Sequence, residues 1–163
     1  MKNYIRLFKP AVDQAELKEI NKVVKRSWLG FGPLVYKFEK EWGKYIGAKY
    51  SVGVNSCTAA LHLALAVNNF KKNKKVLVPS ITFSATAASA LYCNLIPVFV
   101  DVEPNTYIVN VNEIEQSITN NTSALMIPSL LGNIPDLVRL HKLLILGESA
   151  KLVFLYGLLL AFL

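Results

Sequence analysis

From Tyr50 onward the sequence switches repeatedly between short β-rich runs and runs of helical period, and this alternation restricts the fold more than any other feature. Strand-favouring runs lie at 50–54, 76–78, 97–101, 124–128 and 143–146, and helix-favouring segments fall between them at 58–67, 85–93, 111–118 and 135–142. Strands joined by single helical crossovers pair in parallel, since the return path is too long for a hairpin. Right-handed crossovers place helices on one face or the other. The predicted fold class is therefore α/β, a three-layer, mostly parallel sheet flanked by helices.

Two helices precede this pattern. Asp13 is positioned to cap a helix running to about Ser27, with Leu17, Ile20, Val23 and Val24 on one face and Glu16, Lys18, Glu19, Lys22 and Lys25 on the other. A second, from Pro33 to Tyr45, spaces Leu34, Val35, Phe38, Trp42 and Tyr45 at three or four residues and stops at Gly47. The sequence thus divides into a helical segment, 1–48, and an α/β domain, 49–163, which the family resemblance below makes incomplete.

With 163 residues, 53% hydrophobic and 18% charged, there is enough apolar material for a core. The net charge of +7 is spread along the chain apart from Lys71, Lys72, Lys74 and Lys75, a run without interleaved aromatics that reads as a solvated loop and not as a nucleic-acid patch. Cys57 and Cys93 are far apart and have no neighbouring histidine cluster, so they read as reduced thiols of a cytoplasmic protein, with no zinc site. The N-terminus has no apolar run of signal-peptide length. Leu152 to Leu163 is wholly apolar, but twelve helical residues rise only about 18 Å, short of a membrane span. The tail is expected to be a buried or unpaired end of the domain.

In an open parallel sheet, ligands bind beyond the carboxyl ends of the strands, so chemistry should collect in strand-to-helix turns. Here those turns hold Asn55-Ser56-Cys57-Thr58, Ser80-Ile81-Thr82-Phe83, Asp101, Ser129 and Gly147-Glu148-Ser149. The first is followed directly by a helix starting at Thr58-Ala59, whose leading N–H groups lack intrahelical partners. Two readings stand side by side: a turn capped by Ser56 or Thr58, and a seat for a phosphate. The lysine run and Asn94, a left-handed helix stop, fall on the opposite edge.

The combination of SCTAALHLAL, VPSITFSATAASALYCNLIPVFVDVEPNTY and IPSLLGNIPDL resembles the DegT-type sugar-nucleotide aminotransferases, pyridoxal-phosphate (PLP) enzymes of the aspartate-aminotransferase fold. The resemblance covers the chain to about Pro135. It implies the N-terminal portion of the large domain, a cytoplasmic location, PLP as cofactor, glutamate as amino donor, a keto-sugar nucleotide as acceptor and a homodimer. Residue by residue, it implies that Ser56, Cys57, Thr58 and Ala59 cradle the cofactor phosphate, Cys57 standing where glycine is usual, and that Phe83 lies against the pyridine ring. Without the resemblance, Phe83 reads as a core aromatic. Asp101 reads as an N-cap or turn carboxylate. Ser129 stands where the family often has histidine.

The resemblance further implies that Glu148, ending the strand at 143–146, answers to the carboxylate that holds the pyridine nitrogen protonated. Lys151 would lie near the same group. A solvent-facing Glu148 and Lys151 pair is the alternative. The helix before that strand, PDLVRLHK, is short for the family. The Schiff-base lysine would lie well downstream of the acidic pair, and no residue before Leu163 is nominated for it. The expectation is a fragment, truncated or frame-shifted after about Leu140, that does not transaminate. The alternative is a non-catalytic module binding phosphate, a nucleotide sugar or a partner chain.

Overall fold

The computed structural model describes residues 9–146 and 151–155. Its contacts divide the chain into two units, Met1–Gly53 and Val54–Leu163.

In the first unit, α1 (Gln14–Lys25) starts with a complete capping box: the Asp13 carboxylate accepts from the Ala15 N–H, and the Glu16 carboxylate accepts from the Asp13 N–H at 2.8 Å. The apolar stripe of α1 stays open, with Leu17, Ile20 and Val24 exposed. Helix α2 (Pro33–Ile46) begins with proline in its first turn and ends at Gly47, whose φ of 71° is the left-handed cap expected there. Phe38, Trp42 and Tyr45 stack along it. Residues 50–54 are not a strand. Their side against α2 is held by the Ser51 hydroxyl donating to the Glu39 carbonyl and by the Gly53 N–H donating to Glu39 Oε1 at 2.7 Å. A strand requires a neighbour to complete its ladder, and among the described residues none lies beside this segment.

The second unit is the predicted three-layer α/β sandwich. Helix α3 (Cys57–Ala66) leads into β1 (Lys75–Pro79), α4 (Ser84–Tyr92), β2 (Ile96–Val100), α5 (Val111–Ser117), β3 (Thr122–Pro128), α6 (Leu137–Leu146) and β4 (Lys151–Leu155). The strands lie in the order β2-β1-β3-β4, and every pair is parallel. Both central strands are buried, and their side chains alternate between two cores. Val76, Val78, Ala124 and Met126 face α3 and α4 and meet Leu61, Leu65, Ala85 and Ala90. Leu77, Leu125 and Ile127 face the other way and meet Ile114 of α5 and Leu140 of α6.

The end of this unit differs from the sequence expectation. Residues 143–146 are the last turn of α6, which is ten residues long and not the short helix foreseen. Leu140 and Leu143, three apart, pack on the same core cluster, a helical spacing that a Leu-Ile run does not reveal against a buried strand. The strand comes later, at Lys151–Leu155, so the first part of the apolar tail is paired against β3, Leu125 opposite Leu152 and Ile127 opposite Phe154. Among the described residues no helix is long and apolar enough to cross a membrane.

Candidate functional site

Strand order locates the crevice. The path goes from β1 outward to β2 through α4, then crosses back to β3 through α5 on the opposite face and continues to β4. The direction reverses between β1 and β3, and the carboxyl ends of those neighbours, Pro79 and Pro128, flank the switch point where ligands of such sheets bind. The turns leaving them carry Ser80 to Phe83 and Ser129.

Helix α3 brings its first turn to this edge. Its last residue connects to the amino end of β1, and His62 in its second half meets Tyr92, the last residue of α4, with ring centroids 5.6 Å apart. The Cys93 thiol, at the end of α4, points to the His62 carbonyl at 3.8 Å. The two helices therefore run the same way, and both start at the carboxyl edge. Partial burial raises the pKa of the Cys93 thiol above its usual value.

At the start of α3, Ser56 is extended, with φ −161° and ψ 155°, and its Oγ accepts from the Ala59 N–H at 3.2 Å. The Ser56 carbonyl accepts from the Ala60 N–H. That leaves the N–H groups of Cys57 and Thr58 without an acceptor among the described residues. Cys57 takes the first helical position without positive φ, so a cysteine is accommodated there without backbone strain. Its side chain packs partly against the α3/α4 core. Ser56 is thus a cap, the first of the two sequence readings of this turn, and the Cys57 and Thr58 N–H groups stand open beside it.

Phe83 is not a core aromatic. It is 72% exposed at the extended N-cap position of α4, whose first turn has no side-chain cap, while Thr82 and Thr86 hydroxyls pair behind it at 2.9 Å. A ring held by the turn and left in solvent is available for stacking. Asp101 caps no helix; its carbonyl accepts from the Asn110 N–H, and α5 is capped by Asn110 Oδ1 instead, which takes the N–H groups of Asn112 and Glu113. The Ser129 hydroxyl is enclosed without a partner among the described residues, just before Leu131 and Gly132 turn through consecutive positive φ angles of 53° and 85°.

Glu148 lies outside the described residues. The strand on which its expected place rested is helical, so in chain order Glu148 stands between α6 and β4, ahead of a strand and not at the end of one. Lys151 is the first residue of β4, at the amino end of the sheet, and so is not beside a group at the carboxyl edge. Lys71, Lys72, Lys74 and Lys75 also lie at the amino edge, where Lys74 Nζ donates to the Asn120 carbonyl, and Lys142 is in the second half of α6. Among the described residues of the second unit, no lysine sits in a turn at the carboxyl edge. No group of metal-ligating side chains occurs among them either.

The model of the DegT/DnrJ/EryC1/StrS aminotransferase family matches residues 10–152. The spore coat polysaccharide biosynthesis protein SpsC of Bacillus subtilis is 33% identical over 89% of this chain and 39% of its own length. The GDP-perosamine synthase of Caulobacter vibrioides is 34% identical over 88% of this chain and 41% of its own length. Among solved structures, the Escherichia coli GDP-4-keto-6-deoxy-D-mannose-3-dehydratase with bound hydrated PLP superposes with a TM-score of 0.82 at 27% identity, over 90% of this chain and 39% of that one. The chain thus spans about two fifths of the length of these relatives.

Proposed function

Since the chain belongs to the DegT/DnrJ/EryC1/StrS aminotransferase family, we propose that the turn at Ser56–Ala59 is the seat of the PLP phosphate and that Phe83 covers one face of the cofactor ring. The observation that carries this reading is the open pair of donors at Cys57 and Thr58, at the positive end of a ten-residue helix beside the switch point. A dianionic phosphate there receives two backbone hydrogen bonds, while Ser56 keeps the turn in shape through Ala59. The exposed ring of Phe83 adds a stacking surface worth about 1 kcal/mol. When bound, PLP supplies an electron sink for carbon acids next to an amine.

Within the family activity, the substrates are a keto-sugar nucleotide and glutamate, and the working assembly is a homodimer. We further propose that these residues alone do not transaminate. Proton transfer and covalent attachment both need an amine at the carboxyl edge, and the lysines described in the second unit lie elsewhere. The test compares PLP with pyridoxal, which lacks the phosphate, by thermal shift. The reading expects PLP to raise the melting temperature saturably, pyridoxal to have little effect, and inorganic phosphate to compete. Equal shifts from PLP and pyridoxal would count against the phosphate seat. Turnover of a keto-sugar nucleotide with glutamate by the purified chain would overturn the claim of inactivity.

A further inference from the structure

The second unit holds a cavity of about 210 Å³ between the starts of α5 and α6, on the face of the sheet opposite α3 and α4. Two loops that fasten to each other build its walls. Residues 102–109 form a small hairpin, closed by an antiparallel bridge from Val102 to Val109 and by the Glu103 N–H donating to the Ile108 carbonyl at 2.7 Å. Tyr107 turns within it at a φ of 57°. From the loop after β3, Asn133 Nδ2 donates to the Thr106 carbonyl at 3.1 Å, so the hairpin and the approach to α6 are held together. Arg139 sets the remaining wall. Its Nη2 donates to Asn112 Oδ1 at 2.7 Å and to Glu115 Oε2 at 2.6 Å, joining α6 to α5.

Four polar side chains of the lining keep bonding capacity among the described residues. The Glu103 carboxylate is in no ion pair there, and Asp136 engages only Oδ1, which accepts from the Arg139 N–H. Asn112 keeps its Nδ2 donor, and Arg139 keeps Nε and Nη1. Ile134 and Pro135 add apolar surface. This set selects a ligand by elimination. An anion meets two carboxylates, while the Arg139 charge is already balanced by Glu115. A cation suits the carboxylates but meets the guanidinium and leaves the Asn112 donor unmatched. An apolar ligand strips water from four polar groups and returns no hydrogen bond. A neutral, polyhydroxylated ring satisfies every member: its hydroxyls donate to Glu103 and Asp136 and accept from Asn112 and Arg139, and its C–H face lies on Ile134 and Pro135. We propose that this cavity is a second binding site, specific for a neutral pyranose sugar. It stands on residues distinct from the phosphate seat, so a chain that fails to bind PLP leaves it intact.

The test titrates the ¹⁵N-labelled full chain separately with D-glucose, D-galactose and D-mannose, and with ethylammonium chloride and sodium acetate as charged probes. At least one hexose is expected to bind saturably with a Kd of roughly 1–10 mM, in keeping with a ligand of that size. Shifts should be largest at the Asn112 side-chain amide and at the Asn112 and Arg139 backbone amides, with those of Cys57 and Thr58 unmoved. Ile134→Trp, at an exposed position of the lining, should fill the cavity and abolish hexose binding. Glu103→Ala removes a charged acceptor but none of the backbone bonds that close the hairpin, and should weaken the hexose at least ~10-fold while the rest of the spectrum matches the parent chain. Val138→Asp, on α6 outside the lining, should leave binding unchanged. No saturable shift from any of the three hexoses at about 100 mM, ten times the expected range, would overturn the proposal. So would tighter binding of ethylammonium or acetate at the same amides, or hexose shifts that survive both Ile134→Trp and Glu103→Ala.

Discussion

Replacing Cys57 with proline separates folding from phosphate binding at the start of α3. Ser56 already has the extended conformation that a following proline demands, and position 57 is the first helical residue, where proline is well tolerated. The Cys57 N–H has no acceptor among the described residues, so its removal costs the unliganded chain no hydrogen bond. The partly buried side chain exchanges one small apolar group for another against the α3/α4 core. Cys57→Pro should therefore change unliganded stability by less than about 1 kcal/mol. A bound phosphate, by contrast, loses one of its two backbone donors. Hydrogen bonds to charged groups contribute about 1.5–3 kcal/mol, which corresponds to PLP binding weakened roughly 10- to 150-fold. Ser56→Ala should show the opposite signature. It removes the cap on Ala59, about 1 kcal/mol, and lowers the melting temperature by about 2–4 °C, but it frees a third N–H for the anion. Paired thermal melts and PLP titrations of the two variants check this. If Cys57→Pro binds PLP as tightly as the parent chain while melting normally, the phosphate does not sit on these donors.

Other outcomes follow from the same structure. Leu125→Ala, at a fully buried site between β1 and β4, should cost about 3 kcal/mol by chemical denaturation because the central strand cannot collapse into the space. Asn110→Ala should cost about 1 kcal/mol, since its Oδ1 satisfies two N–H groups at the start of α5. Pyridoxal phosphate should slow alkylation of Cys57, which adjoins the proposed seat, and leave Cys93 unaffected. Cys93 itself should react slowly near neutral pH, as burial raises its pKa and keeps the thiol protonated, and its rate should rise steeply in alkali.

The layers of the second unit could be read in advance because β1 and β3 are buried on both faces and the helices between them are short and regular. Caps were equally legible, since Asp13, Gly47 and Asn94 act through local geometry alone. Two segments misled for opposite reasons. Residues 143–146 are apolar enough for a buried strand, and it is the packing of Leu143 on the same core cluster as Leu140 that shows the helical spacing. Residues 50–54 do carry a strand pattern, but a ladder depends on a neighbour that no local pattern supplies. At the candidate site, the turn at Ser56–Ala59 was visible because helix starts expose donors by construction. The exposure of Phe83 was not, because an aromatic beside a helix start looks the same in sequence whether it turns inward or outward. The Asn110 cap was not singled out in the sequence, although asparagine directly before a helix is a recognisable signal.

The phosphate seat is tested most directly by a ¹⁵N-resolved NMR titration of the chain with PLP. The account predicts saturable, downfield amide shifts that are largest at Cys57 and Thr58, reversed by inorganic phosphate, with the amides of Lys71 to Lys75 at the far edge of the sheet unmoved. Largest shifts at the lysine run, or no saturable shift at Cys57 and Thr58, would contradict it.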